Sequence, residues 1–253
     1  MKITFLGTGT SQGVPVIGCN CSVCRSIDFR DKRLRTSLMV SEGDTNIVID
    51  TGPDFRQQML RENVQSLTAV VFTHEHKDHT AGMDDVRAFN FKQKMDMPIY
   101  ARKTVLEQLK REFSYIFSGN NYPGIPKIEI NEINGLPFRI ADLLIEPIEV
   151  MHYKLPVYGF KIGMFTYITD ANYISEDTYD KISDTEILVI NALQKEKHIS
   201  HFTLTEALSE IEKIKPKKSF LVHMSHKLGR HSDIQKDLPE NVFLAYDGLT
   251  LTF

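Results

Sequence analysis

The feature that most constrains this chain is the run Thr73-His74-Glu75-His76-Lys77-Asp78-His79, set directly behind the apolar stretch Val70-Val71-Phe72. Such a stretch reads as a buried strand, and a strand end delivers the adjoining loop to the rim of a sheet. In extended backbone, His74 and His76 are two residues apart and project to the same side. Asp78 and His79 turn to a second position nearby. These four side chains can therefore serve two adjacent ions. Neutral imidazole with carboxylate suits Zn²⁺, Mn²⁺ or Fe²⁺.

The surrounding sequence supplies more strand ends. Runs rich in Val, Ile, Phe and Tyr recur at Lys2–Leu6, Ser37–Val40, Asn46–Ile49, Ala69–Phe72, Ile99–Ala101, Leu143–Val150, Gly159–Ile162, Phe165–Ile168, Ile187–Asn191, Lys218–Val222 and Val242–Ala245. Helices are expected over Asp54–Leu60, Thr104–Tyr115 and Thr203–Ile214, the last with Thr203 or Thr205 as cap. Strands dominate first and helices intersperse later, which favours an α/β protein with sheets covered by helices. The segment Phe117–Leu136 holds Gly, Pro and Asn and reads as a long surface loop or lid. No repeat, low-complexity tract or linker interrupts residues 1–253, so one domain is expected.

With 42% apolar and 25% charged residues the balance is that of a soluble globular protein. A net charge of -3 excludes a strongly basic nucleic-acid coat. No apolar run approaches the ~18–20 residues of a membrane span. The start, Met1-Lys2-Ile3-Thr4-Phe5-Leu6, lacks a signal-peptide pattern, so the expected compartment is the cytoplasm.

Four further elements come directly after strand-like runs: Asp50-Thr51-Gly52, His152, Asp170 and His223. Together with His-x-His-x-Asp-His they resemble the metallo-β-lactamase superfamily, from Phe5 to Tyr246-Asp247-Gly248. The resemblance implies an αββα four-layer sandwich of two mixed β-sheets flanked by helices. It also implies that His74, His76 and His152 hold one divalent ion (Mn²⁺ or Zn²⁺), and that Asp78, His79 and His223 hold a second. Asp170 would bridge them, and Asp78 is counted with the catalytic groups. Two such ions lower the pKa of a shared water and give a hydroxide near neutral pH. Asp84 and Asp85 match family elements as well, and are either partners of metal-bound histidines or a solvated acidic turn. The loop Gly7-Thr8-Gly9-Thr10-Ser11-Gln12-Gly13 lacks the Gly-Lys-Ser/Thr of a P-loop and reads as a tight turn, and the resemblance implies a place near the site with a substrate contact open.

All three cysteines, Cys19, Cys21 and Cys24, lie within six residues. An odd, clustered set is a poor disulfide framework and suits a metal. A structural Zn²⁺ needs four ligands. The Cys-x-Cys-x-x-Cys insert resembles the phosphoribosyl cyclic-phosphate phosphodiesterase (PhnP-type) family, in which the fourth ligand corresponds to His226. The same family implies His201 as a non-ligand histidine that assists the leaving group. Histidine suits that task because its ordinary pKa lies near neutrality.

The leading expectation is a two-metal phosphodiesterase that opens a small cyclic phosphate, with phosphoribosyl 1,2-cyclic phosphate implied by the resemblance. The substrate is then a small phosphodiester, neither nucleic acid nor membrane is expected as partner, and a homodimer stays open. Three alternatives share the features: a tRNA 3′-end endonuclease of ribonuclease Z type, a quinone-cofactor biosynthesis protein, and a non-catalytic metal-binding module. Asp170 follows His152 by 18 positions, too few for the protruding arm of the first.

Overall fold

A computed structural model of the protein describes residues 1–119 and 122–253. Its strands in chain order are β1 (Lys2–Gly7), β2 (Ser37–Glu42), β3 (Thr45–Ile49), β4 (Ala69–Val71), β5 (Met97–Arg102), β6 (Ile128–Ile133), β7 (Phe138–Ile140), β8 (Leu143–His152), β9 (Leu155–Ile162), β10 (Phe165–Ile168), β11 (Ile187–Asn191), β12 (Lys218–Val222), β13 (Val242–Leu244) and β14 (Thr250–Thr252). The helices are α1 (Phe55–Arg61), α2 (Lys77–Thr80), α3 (Arg87–Gln93), α4 (Lys103–Glu112), α5 (Ser114–Phe117), α6 (Glu176–Lys181), α7 (Leu204–Ile214) and α8 (His231–Asp237). Two units interleave along the chain. The first comprises Met1–Leu6, Thr36–Asn134 and Gly248–Phe253, and the second Gly7–Arg35 and Gly135–Asp247.

The first unit carries a seven-stranded sheet in the order β14-β1-β2-β3-β4-β5-β6. Strands β3 to β6 run parallel, with Ile49 opposite Val71 and Val71 opposite Tyr100. Strands covered on both faces read as continuous apolar runs, and Ile47–Ile49 and Ala69–Val71 are buried throughout. Because β3 and β4 end level, Asp50 and the loop after Val71 leave at one edge. Val105, Leu106 and Leu109 of α4 pack with Ile99 and Ala101 of β5 in this unit's core. Each such side chain contributes about 1.5–3 kcal/mol when fully buried.

The second unit has its own seven-stranded sheet, ordered β13-β12-β11-β10-β9-β8-β7. Strands β10 to β13 are parallel. Strand β9 is antiparallel to both neighbours, so β8 runs in the direction of β10. His152, Asp170 and His223 therefore emerge at one edge, past β8, β10 and β12. Thr203 caps α7 in a capping box with Glu206, which decides between the two threonines. The buried face of α7, Ala207, Ile211 and Ile214, packs with Ile190 and Leu221.

The segment Phe117–Leu136 is not one long loop. Ile128–Ile133 forms β6, paired in parallel from Met97 opposite Ile128 to Arg102 opposite Ile133. It is an edge strand with only Ile133 buried, so its backbone ladder defines it more than its side-chain pattern does. Asn120 and Asn121 of that segment lie outside the described residues. The short edge strands β7 and β14 and the helices α3, α6 and α8 carry too little periodicity to be read from sequence.

Candidate metal centre

In the first unit the chain leaves β4 through Phe72 and Thr73, with His74 buried and His76 exposed. Their ring centroids lie 4.5 Å apart, and those of His74 and His79 lie 4.3 Å apart. The single turn α2 carries Asp78 and His79, with Asp78 Oδ2 at 3.4 Å from His79 Nε2. Beneath them, Asp50 takes a left-handed backbone with φ 66°. Its carboxylate accepts the Thr73 N–H at 2.8 Å and the Thr73 hydroxyl at 2.8 Å. It also meets His79 Nδ1 at 2.7 Å. Burial raises the Asp50 carboxyl above the usual carboxylate range, with His79 and Thr73 opposing. Both Asp50 oxygens accept from Thr73, so His79 donates to Asp50 from Nδ1 and presents the Nε2 lone pair beside Asp78.

Backbone contacts lock this arrangement. Thr51 N–H donates to His79 O at 2.8 Å, and Gly82 N–H donates to Thr51 O at 2.8 Å. A Cβ at Gly82 would run into the Gly52 carbonyl, so glycine is required there. Asp84 does not partner a histidine of the motif. It takes the Tyr115 hydroxyl and lies 3.3 Å from Arg87 Nη2. The N–H of Asp85 donates to Gly82 O at 3.1 Å. The partner carboxylate is Asp50, which the sequence identified only as a family element.

In the second unit His152 Nδ1 lies 2.7 Å from Ser200 O, so the proton sits on Nδ1 and Nε2 carries the lone pair. Asp170 and His223 both have left-handed backbones, φ 59° and 55°. Asp170 Oδ1 is 2.9 Å from His223 Nδ1. The Thr169 hydroxyl donates to the same oxygen at 2.8 Å. His223 Nε2 lies 3.2 Å from Thr10 Oγ1. Non-glycine residues in this region cluster at functional sites, and here three of them, Asp50, Asp170 and His223, carry ligand-type groups. The ligand-type atoms of His152 and Asp170, and of Asp170 and His223, fall within 4.8 Å of one another.

His201 completes this half. Its ring stacks on His223 at 4.8 Å and 12°, and meets His152 edge-on at 4.6 Å. Its Nε2 lies 3.4 Å from Asp170 Oδ2, and its side chain is only 11% exposed, unlike a surface residue at a helix start. On the other side, His201 Nδ1 lies 3.2 Å from His198 Nδ1. Burial lowers the pKa of His198. The glycine loop acts as a brace: Thr10 N–H donates to Met224 O at 3.1 Å and Gly9 N–H to Leu34 O at 2.8 Å.

The cysteine cluster also assembles within the second unit. The sulfurs of Cys19, Cys21 and Cys24 lie 3.3, 3.4 and 3.5 Å from His226 Nδ1. Adjacent corners of a tetrahedral site with Zn–S and Zn–N bonds of usual length stand about 3.5 Å apart. The donor set and its spacing therefore fit a zinc ion. The Cys24 N–H donates to Cys21 Sγ and the Val16 N–H to Cys24 Sγ, both at 3.4 Å. The first of these bonds lowers the Cys21 thiol to about 6, whereas burial raises Cys24 to about 11.

The Beta-lactamase superfamily domain model matches residues 45–224. The chain belongs to that superfamily. It superposes on the crystal structure of a diphosphatase from the PhnP family with TM-score 0.94 at 36% identity, covering 100% of this chain and 97% of that one. This places it close to the PhnP type, as the cysteine insert implied, and its two mixed sheets with their helices are those of the metallo-β-lactamase fold. An octanoyltransferase of Porphyromonas gingivalis is 40% identical over 252 residues, 98% of this chain and 51% of that protein. The coenzyme PQQ synthesis protein B of Rhodopseudomonas palustris is 28% identical over 173 residues, 63% of this chain and 54% of that protein. The chain thus spans about half the length of the curated relatives it matches.

Proposed function

We propose that this chain is a metal-dependent hydrolase that opens a small cyclic phosphodiester, with phosphoribosyl 1,2-cyclic phosphate giving ribose 1,5-bisphosphate. The observation that carries the reading is His201, a largely buried imidazole outside the ligand set, with Nε2 3.4 Å from Asp170 and its ring against His152 and His223. The PhnP-family neighbour, a diphosphatase, supports metal-dependent hydrolysis at phosphorus.

In this reading His74, His76 and His152 would hold one ion and Asp78, His79 and His223 the other, and Asp170 belongs to both ligand sets. Cys19, Cys21, Cys24 and His226 would hold a structural zinc. Two divalent ions bound in this way supply a hydroxide near neutral pH and offset charge growing on a phosphoryl oxygen. The chain's own groups do the rest. Asp50 fixes the ring of His79, and the Ser200 carbonyl fixes that of His152. His201 delivers the Nε2 proton to the departing ribosyl oxygen.

The octanoyltransferase name belongs to a protein about twice as long, and the His/Asp set favours hydrolysis over acyl transfer. Against tRNA processing, β9 and β10 occupy most of the interval between His152 and Asp170 and leave no arm. The test is turnover of phosphoribosyl 1,2-cyclic phosphate, bis(p-nitrophenyl) phosphate and a 3′-extended tRNA with added Mn²⁺ or Zn²⁺, beside the metal content of the same sample. Opening of the cyclic ribosyl phosphate with the tRNA untouched is expected. A fully metallated protein that turns over none of the three refutes the reading.

A further inference from the structure

Asn172 plays no part in the ligand set or in the proton transfer, yet its side chain ties together the segments that carry three site groups. Its Oδ1 accepts the N–H of Tyr153 at 2.7 Å, immediately after His152. Its Nδ2 donates to Ile199 O at 3.1 Å, one residue before Ser200, whose carbonyl orients His152. Its main-chain N–H donates to Met151 O at 2.8 Å, and Met151 N–H donates to Tyr173 O at 3.0 Å. One side chain thus spans the His152 turn, the Asp170 turn and the segment leading to His201.

The need for such a tie is visible in the backbone. Tyr153 is left-handed, with φ 57°, a conformation that a tyrosine adopts only when its surroundings hold it there. Asn172, Tyr173, Ile174 and Phe202 also line an open cavity of about 670 Å³. The amide is chemically matched to the task. It offers one acceptor to an N–H and one donor to a carbonyl. A carboxylate or an alkyl group of the same size can satisfy one of these at most.

We propose that Asn172 is a positioning residue, whose amide sets the His152 ring and the place of His201 by pinning Tyr153 N–H to Ile199 O. The kinetic part of this rests on the phosphodiesterase reading above, and the spectroscopic part does not. The experiment compares Asn172→Ala and Asn172→Asp with the wild-type chain. Histidine-selective ¹⁵N NMR on the metal-free protein reads whether His152 holds its proton on Nδ1. Kinetics on the active phosphodiester read kcat and KM separately, and thermal unfolding reads Tm.

Loss of the fixed Nδ1–H state of His152 is expected in Asn172→Ala, with kcat down about 10–100-fold, since misplacement near 1 Å costs that much. KM should stay within about twofold and Tm within about 4 °C. Asn172→Asp keeps the acceptor for Tyr153 and should fall between, and it carries the test if the alanine variant fails to fold. An unchanged His152 tautomer and an unchanged kcat in a folded variant overturn the proposal. So does a rise in KM alone. If the wild-type chain turns over no phosphodiester, the functional reading fails, and the NMR comparison alone decides the role of Asn172.

Discussion

His79 holds its Nδ1 proton against Asp50 across 2.7 Å, and neither side chain has any exposed surface. A histidine ligand is only as well placed as the group behind it, and partners of this kind alter metal affinity or activity by about 10–100-fold when changed. Asn tolerates the left-handed backbone of Asp50, so Asp50→Asn keeps the turn and removes the charge. Metal titration should show divalent-ion affinity weakened about 10–100-fold, with turnover falling in parallel. Unchanged metal stoichiometry and unchanged kcat would show that the pair serves only packing.

His201 touches Asp170, His152 and His223 but completes no ligand group. Replacement by Gln should lower kcat about 100-fold or more on a substrate with a poor leaving group, as expected for loss of a positioned acid. Metal content should not change. The loss should shrink on bis(p-nitrophenyl) phosphate, whose nitrophenolate departs without a proton. An equal loss on both substrates, or loss of metal, would assign His201 a ligand or structural role. By contrast, His79→Ala and Asp170→Ala should abolish turnover on both substrates, because each removes a ligand-type group.

The site is more legible in the sequence than the frame around it. The ligand-type residues sit at strand ends, and continuous apolar runs within strands, such as Ile47–Ile49 and Phe220–Val222, announce themselves. A loop at a strand end is local in sequence, so His74 to His79 are placed by the residues just before them. The partners behind them are not local. Asp50 lies 29 residues from His79, and Ser200 lies 48 residues from His152. Asp84 suggests itself for that role as a family element, but the pairing of β3 with β4 brings Asp50 instead. Strand β6 is hidden in the sequence for a related reason: its neighbour on the ladder, not its own pattern, makes it a strand.

The three sulfurs around His226 predict a stability effect that is separable from catalysis. A structural zinc contributes folding free energy directly. Cys21→Ser should therefore remove one zinc per chain and lower Tm by more than about 5 °C, and a chelator should lower the Tm of the wild-type chain toward that of the variant. Retention of zinc and Tm in Cys21→Ser would rule out a structural ion at this cluster.

His231 predicts a pH dependence. Arg33, itself buried, reaches His231 Nδ1 with Nη2 at 3.2 Å. A guanidinium can only donate, so this contact requires a neutral imidazole with its lone pair on Nδ1. Burial, then Arg33 and Arg30, depress His231 to about 4, with Asp28 and Asp31 opposing. In the unfolded chain a histidine titrates near 6.5. Between these values the unfolded state binds a proton that the folded state does not, so stability rises with pH across the window. It is full above about 6.5, falls as pH drops toward 4, and levels below that. The total is up to about 3 kcal/mol. His231→Gln keeps an acceptor for Arg33 without titrating. Denaturant unfolding between pH 4 and 6.5 should therefore give a flatter stability profile for the variant than for the wild-type chain. Parallel profiles would mean that His231 is protonated in the folded state, against the Arg33 contact.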